Sequence, residues 1–218
     1  MDNKIIIYHG SISIIEKPTY GFGKKYNDFG LGFYCTDDIE LAKEWAVNEK
    51  DNGYANIYEL NLDGLKILDL TNNYNVLNWI TILLINRSFI TKRNIAQQGK
   101  DFLISNFKIP YEDYDIIIGY RADDAYFTFA EDFLNNTISL NQLEYALKLG
   151  KLGKQIVLKS KKAFEQIKYI GNEIANYNVY YIKRRNRNIN AKLEYLNRKD
   201  KISNDDIFLN ELIKKGVK

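Results

Sequence analysis

Residues 28–46 read DFGLGFYCTDDIELAKEWA, and their pattern is that of a turn, a strand and a helix in immediate succession. Gly30 and Gly32 loosen the entry, where a chain reversal needs backbone freedom. Gly32–Thr36 (GFYCT) is short, aromatic and closed by a turn-forming aspartate, so it reads as a strand. Asp37 then stands as an N-cap, with Glu40 three positions on as its capping-box partner. Ile39, Ala42, Trp45 and Ala46 follow at helical spacing and give this helix one apolar face.

Working outward, Lys4–Tyr8 (KIIIY) is a β-rich run ending at His9-Gly10 and reads as a buried strand. A glycine-rich loop from Gly21 to Gly32 follows, with Lys24, Lys25 and Tyr26 near its middle. Ala55–Leu62 and Leu65–Leu70 read as a hairpin joined by Asp63-Gly64. The stretch from Asn75 to Phe107 is mostly helical by pattern, and Tyr114–Gly119 (YDIIIG) is a further buried strand. Asp124–Leu134 and Ser139–Leu149 read as helices, the second with Ser139 and Gln142 as a capping box and Gly150 as its stop. Gln155–Ser160 and Asn178–Lys183 read as strands, and the residues after Arg184 as exposed helices. Strands scattered between helices of unequal length, without regular βαβ alternation, indicate an α+β fold.

Composition narrows the function classes. A chain of 218 residues is one ordinary domain with room for a full core. One cysteine, Cys35, excludes an internal disulfide, and one histidine, His9, excludes a His-rich metal site. By strand alternation Cys35 faces away from Tyr34 and is expected to be buried and inert. The amino-terminal apolar run is too short for a signal segment. The longest apolar stretch, Trp79–Ile85, is interrupted by Thr81 and too short for a bilayer, so a cytoplasmic protein without membrane association is expected. Net charge is +3, but Lys183–Lys201 holds eight Lys/Arg against two Asp/Glu. This basic segment reads as a solvated helix face or as a contact surface for phosphates. We therefore expect a main domain over 1–185 and a basic helical extension over 186–218. The glycines form neither GxGxxG nor a Walker loop.

Three segments place a polar or aromatic residue at the edge of an apolar strand: YHGS (Tyr8–Ser11), DFGLGFYCT and GKQIVLKS (Gly153–Ser160). Here the chain resembles the diphtheria-toxin-like ADP-ribosyltransferases, which include the poly-ADP-ribose polymerases. That superfamily has a His in an HG pair on its first strand, a Tyr in a G-x-Y strand and a third residue opening a later strand. His9-Gly10, Gly32-Phe33-Tyr34 and Gln155 match these contexts in order. A closer resemblance, over about Lys4–Ile170, is to the bacterial domain-of-unknown-function family 3990, including the GYRADDAYF and GKQIVLKSKKAF segments.

The resemblance implies a split β-sandwich of two small sheets with flanking helices. It also implies a mono-ADP-ribosyltransferase using NAD as co-substrate and no metal. His9, Tyr34 and Gln155 would be the catalytic set. His9 would bond the nicotinamide ribose, the Gly10 backbone would pair with the carboxamide, and Tyr34 and Trp45 would sandwich the ring. The polymerases' carboxamide-binding Ser is Ala42 here, so Ser11 or Thr36 would have to replace it. Lys24 and Lys25 would meet the pyrophosphate. Gln155 stands where a Glu is usual and can orient by hydrogen bonding but not as a charge. Arg121, Asp123 and Asp124 are candidates for positioning the acceptor, or Asp124 simply caps the next helix. The acceptor would be a protein or a nucleic acid. The resemblance further implies a toxin of a toxin–antitoxin or phage-defence system with a small antitoxin partner. The competing readings are a non-catalytic ADP-ribose-binding module and an NAD glycohydrolase.

Overall fold

The computed structural model describes residues 3–72, 74–89, 94–122, 124–149 and 153–216. Its strands form two small sheets. The first is antiparallel with order β1 (Lys4–Ser11), β3 (Gly53–Asn61), β7 (Ile167–Ala175). The second has order β2 (Phe33–Cys35), β6 (Lys154–Leu158), β5 (Ile116–Tyr120), β4 (Ile67–Asp69), and only its β4–β5 pair is parallel. The helices are α1 (Ile39–Ala46), α2 (Val76–Asn86), α3 (Asn94–Phe107), α4 (Asp124–Leu134), α5 (Leu140–Ala146), α6 (Lys161–Glu165), α7 (Tyr177–Lys199) and α8 (Leu209–Lys215). The protein is α+β.

Side-chain alternation sorts the strand residues into two cores. Ile7, Tyr58 and Leu60 of the first sheet meet Phe33, Cys35, Ile116, Ile156 and Leu158 of the second in an apolar layer between the sheets. Cys35 is fully buried there, and burial pushes its thiol pKa up. The other face of the second sheet, with Leu68, Ile117 and Val157, packs on helices that supply Trp79, Leu103, Phe129 and Phe133. On the outer face of the first sheet, α1 lies close enough to touch backbone. A Cβ at Gly10 would stand 2.0 Å from the Ala42 carbonyl oxygen, and one at Gly53 would stand 2.1 Å from that of Ala46.

Four expectations are corrected. Asp63-Gly64 does turn the chain, but β3 and β4 belong to different sheets and form no hairpin. The cap of α1 is Asp38, whose side chain accepts from the Glu40 and Leu41 N–H groups, not Asp37. Asn178–Lys183 is helical: Tyr177, Tyr180 and Tyr181 recur at helical spacing against Ala46, Val47 and Ala175, and this packing outweighs their β propensity. The neighbouring strand is β7, whose alternation is broken by a register shift opposite Ile57/Tyr58. The expected boundary at 185/186 falls inside the unbroken α7, and Ala191, Tyr195, Leu209 and Leu212 join the main helical core, so the basic segment is part of that body. Ser139 and Gln142 form the expected capping box on α5, while its proposed stop at Gly150 lies outside the described residues.

The closeness of α1 to the first sheet is testable away from any candidate site residue. Gly53→Ala should cost about 1–3 kcal/mol through overpacking. A lower urea midpoint at unchanged slope is the expected reading. An unchanged midpoint would show that α1 does not ride on the sheet at this distance.

Candidate functional site

Among the described residues, one backbone bridge links the two sheets. Tyr8 and Thr36 exchange both backbone hydrogen bonds, at 2.8 and 2.9 Å, and the bridge is isolated. In an antiparallel ladder the next such pair lies two residues on along each strand. Here that pair would be Gly10 opposite Tyr34, and the ladder does not continue to it. The carbonyl of Tyr34 instead meets Nδ1 of His9 at 2.7 Å. By the same alternation, the N–H and C=O of Gly10 and the N–H of Tyr34 face the gap where the sheets part.

The chemistry of His9 follows from this contact. A carbonyl only accepts, so Nδ1 carries the proton and donates to Tyr34. Burial lowers the imidazole pKa below its ordinary value of 6.5, partly offset by that backbone bond. The ring is therefore neutral near pH 7, and its Nε2 is an acceptor. It stacks on Phe33, with centroids 4.3 Å apart.

Tyr34 contributes differently from expectation. Its side chain lies on the opposite face of the second sheet from Phe33 and Cys35, packed against the helical core. Its hydroxyl accepts from the Phe29 N–H at 3.0 Å and donates to the Gly30 carbonyl at 2.7 Å. Burial raises the phenol pKa far above its usual range. The phenol thus pins the glycine turn, and the Tyr34 backbone lines the gap. Tyr34 and Trp45 form no ring pair among the described residues. Trp45 carries the Arg121 guanidinium 4.5 Å above its ring, and its indole N–H is buried without a hydrogen-bond partner.

Gln155 shares the Tyr34 face, two residues from Val157, the pairing partner of Tyr34. Its Nε2 donates to Oδ2 of Asp28 at 3.3 Å, and its buried Oε1 has no partner. Asp28 is the residue that sequence reasoning missed. Its Oδ2 also accepts the Ala122 N–H at 2.9 Å, and its Oδ1 pairs with Arg87 at 2.8 Å. Arg87 donates in turn to the Ala122 carbonyl at 2.8 Å, so both backbone polar groups of that residue are held. Burial raises the Asp28 pKa, while the Ala122 N–H and Arg87 oppose the rise. The only sequence signal was an aspartate opening the DFGLG turn; its partners Arg87, Ala122 and Gln155 are distant in the chain. Lys159 was also missed. It donates to the Phe29 and Leu31 carbonyls, and burial lowers its pKa to about 8.

The remaining candidates are dispersed. The Ser11 hydroxyl donates to the Ser13 carbonyl and accepts from Asn56. Thr36 is fully buried and accepts from the Asp38 N–H at 3.3 Å. Lys24 and Lys25 are exposed in the glycine-rich loop. Asp124 opens α4, and Asp123 lies outside the described residues. Among the described residues, no group of three or more His, Cys, Asp or Glu gathers as a metal site, and no helix is long and apolar enough to cross a membrane.

Residues 5–169 match the model of a family described as "Protein of unknown function (DUF3990)". The chain belongs to this family. No curated protein and no solved structure matches it. The match takes in β2, α1, β6 and all of β1 except Lys4.

Two expectations test this geometry. A histidine with a lowered folded pKa binds protons less readily than in the unfolded chain. Its contribution to stability is therefore complete above about pH 6.5 and is lost as pH falls below it. Asp28, with a raised pKa, acts with the opposite sign as pH rises above its ordinary value of 3.8. The unfolding midpoint should thus fall more steeply for wild type than for His9→Gln between about pH 7 and about pH 5, and parallel curves would refute a buried neutral imidazole. Secondly, Gln155→Glu would set a carboxylate beside that of Asp28 and should destabilise by about 1–3 kcal/mol. Adding Asp28→Asn should recover part of this loss in a double-mutant cycle, and strict additivity would show that the two side chains do not interact.

Proposed function

We propose that the protein is an ADP-ribosyltransferase that takes NAD at the gap between β1 and β2 and passes ADP-ribose to a macromolecular acceptor. The interrupted ladder at Gly10 and Tyr34 carries this reading. A carboxamide offers one acceptor oxygen and an NH2 donor, the complement of the Gly10 N–H and C=O left by the missing pair. Strand edges recognise extended polar groups through such unpaired backbone. Trp45 adjoins this position: a Cβ at Gly10 would stand 3.0 Å from the Trp45 Cβ.

The chain's own groups then have distinct tasks. The Gly10 backbone fixes the carboxamide, and the neutral Nε2 of His9 accepts from a ribose hydroxyl. Gln155, held by Asp28 through its NH2, keeps a buried carbonyl oxygen without a partner, which would serve as a second acceptor. A carboxylate accepting from one end of an amide strengthens the acceptor at the other. In the reaction the bond from ribose C1′ to the nicotinamide nitrogen breaks, and its electron pair passes to that nitrogen. A lone pair of the acceptor forms the new bond to C1′, and the acceptor's proton is released. Positioned dipoles near the developing positive charge on the ribose favour this step. A transferase of this kind would act in the cytoplasm as a toxin restrained by a partner protein. A neutral amide at 155 also suits a module that binds ADP-ribose without turnover, and the assay below separates the two.

The purified full chain should release nicotinamide from NAD in the presence of cell lysate and leave adenosine label on a macromolecule. Sensitivity of that label to nuclease or to protease identifies the acceptor class. His9→Ala should lower release by roughly 100-fold while the chain stays folded. No nicotinamide release, together with no effect of NAD on the unfolding temperature, would exclude the enzyme. Release without retained label would mark a glycohydrolase.

A further inference from the structure

Val179, Ile182, Asn186, Ile189, Leu193 and Leu196 follow one another along α7 at alternating spacings of three and four. This is the rhythm of positions a and d in a coiled-coil seam. The five apolar members are 44–55 % exposed, whereas the opposite side of the helix buries Ala191 and Tyr195 in the body. Scattered exposed aliphatics are ordinary, but a continuous stripe along a 23-residue helix marks an association surface.

What surrounds the stripe selects its occupant. The flanking e and g places hold Lys183, Arg185, Lys192 and Lys199 between asparagines and contain no acid. Lys183 and Lys199 are paired with Glu40 and Asp132, at 3.0 and 2.7 Å. Arg185 and Lys192 are the central flanking charges; Arg185 is exposed, and so is Lys192. Both stand on a groove of about 830 Å³ running from the stripe to α4, whose wall also includes Ile189 and Leu196. We infer that the outer face of α7 docks an acidic amphipathic helix of a partner protein, with glutamates or aspartates meeting Arg185 and Lys192, and Asn186 setting the register. A second copy of this chain would bring cationic flanks to cationic flanks. Nucleic acid would find phosphates opposed to aliphatic side chains, with no aromatic residue in the stripe to stack on. A membrane surface suits a broad apolar face, while a seam confined to a and d positions suits one facing helix. The inference is independent of the chemistry at the β1–β2 gap.

The probe is a labelled three-heptad peptide with leucine and isoleucine at a and d, one asparagine set to face Asn186, and glutamate at e and g. It is titrated into the full chain beside a matched peptide with lysine at e and g, a single-stranded RNA oligonucleotide and phosphatidylserine vesicles. The glutamate peptide should bind at least about tenfold more tightly than the lysine peptide. Ile189→Glu and Leu193→Glu should each weaken it about tenfold or more. Both positions are exposed, so the unfolding temperature should stay unchanged, which separates lost docking from lost fold. Equal binding of the two peptides, stronger binding of RNA or vesicles, or a homodimer that Leu193→Glu dissociates would each overturn the assignment.

Discussion

The carboxylate of Asp28 is buried where four distant segments meet, and the geometry of the gap depends on it. One oxygen accepts from Ala122 and Gln155, and the other pairs with Arg87, which closes the circuit on the Ala122 carbonyl. An ion pair out of water contributes little net stability unless its remaining valences are filled, and here they are filled by a backbone N–H and an amide. The consequence is positional. The Ala122 peptide fixes the residue before it, Arg121, whose guanidinium covers Trp45. The same carboxylate fixes the start of the glycine turn that Tyr34 and Lys159 hold from either side.

Against that fixed side, the gap itself results from one replaced hydrogen bond. Where Gly10 would pair with Tyr34, an imidazole takes the carbonyl, and the strands diverge with backbone groups unpaired. An exposed strand edge usually invites aggregation. On the face of this strand, the backbone of α1 lies so near Gly10 that no side chain fits there. Gly10 is therefore required on steric grounds, whatever ligand its polar groups meet.

Much of this architecture was legible in the sequence because local signals and tertiary packing agree. The strand and helix over 33–46, the strands at β1, β5 and β6 and the capping box at Ser139 were all readable from period and caps. Errors arose where packing reversed a local preference. The tyrosines after Asn176 favour strands individually, yet their helical spacing lets them cover Ala46, Val47 and Ala175. Asp63-Gly64 has the composition of a hairpin turn, but the strand after it finds a parallel partner in β5. Sequence order named His9, Gly10, Tyr34 and Gln155 as candidates but not the face each presents. Nor could it show that part of the basic segment is already paired within the chain: Lys183 and Arg187 pair with Glu40 and Glu44 of α1, and Arg184 bonds the Glu44 carbonyl. A charge count along the chain does not distinguish a surface field from ion pairs between two helices.

The glutamine at 155 follows from the same carboxylate. With Asp28 at 3.3 Å, a glutamate there would place two buried acids side by side, and one of them would have to hold a proton. An amide removes the conflict and, because a carboxylate can only accept from it, settles its orientation: NH2 towards Asp28, carbonyl oxygen away from it. The negative charge of Asp28 is thus held one hydrogen bond behind the amide. A neutral amide can orient a hydroxyl group by hydrogen bonding but does not abstract its proton.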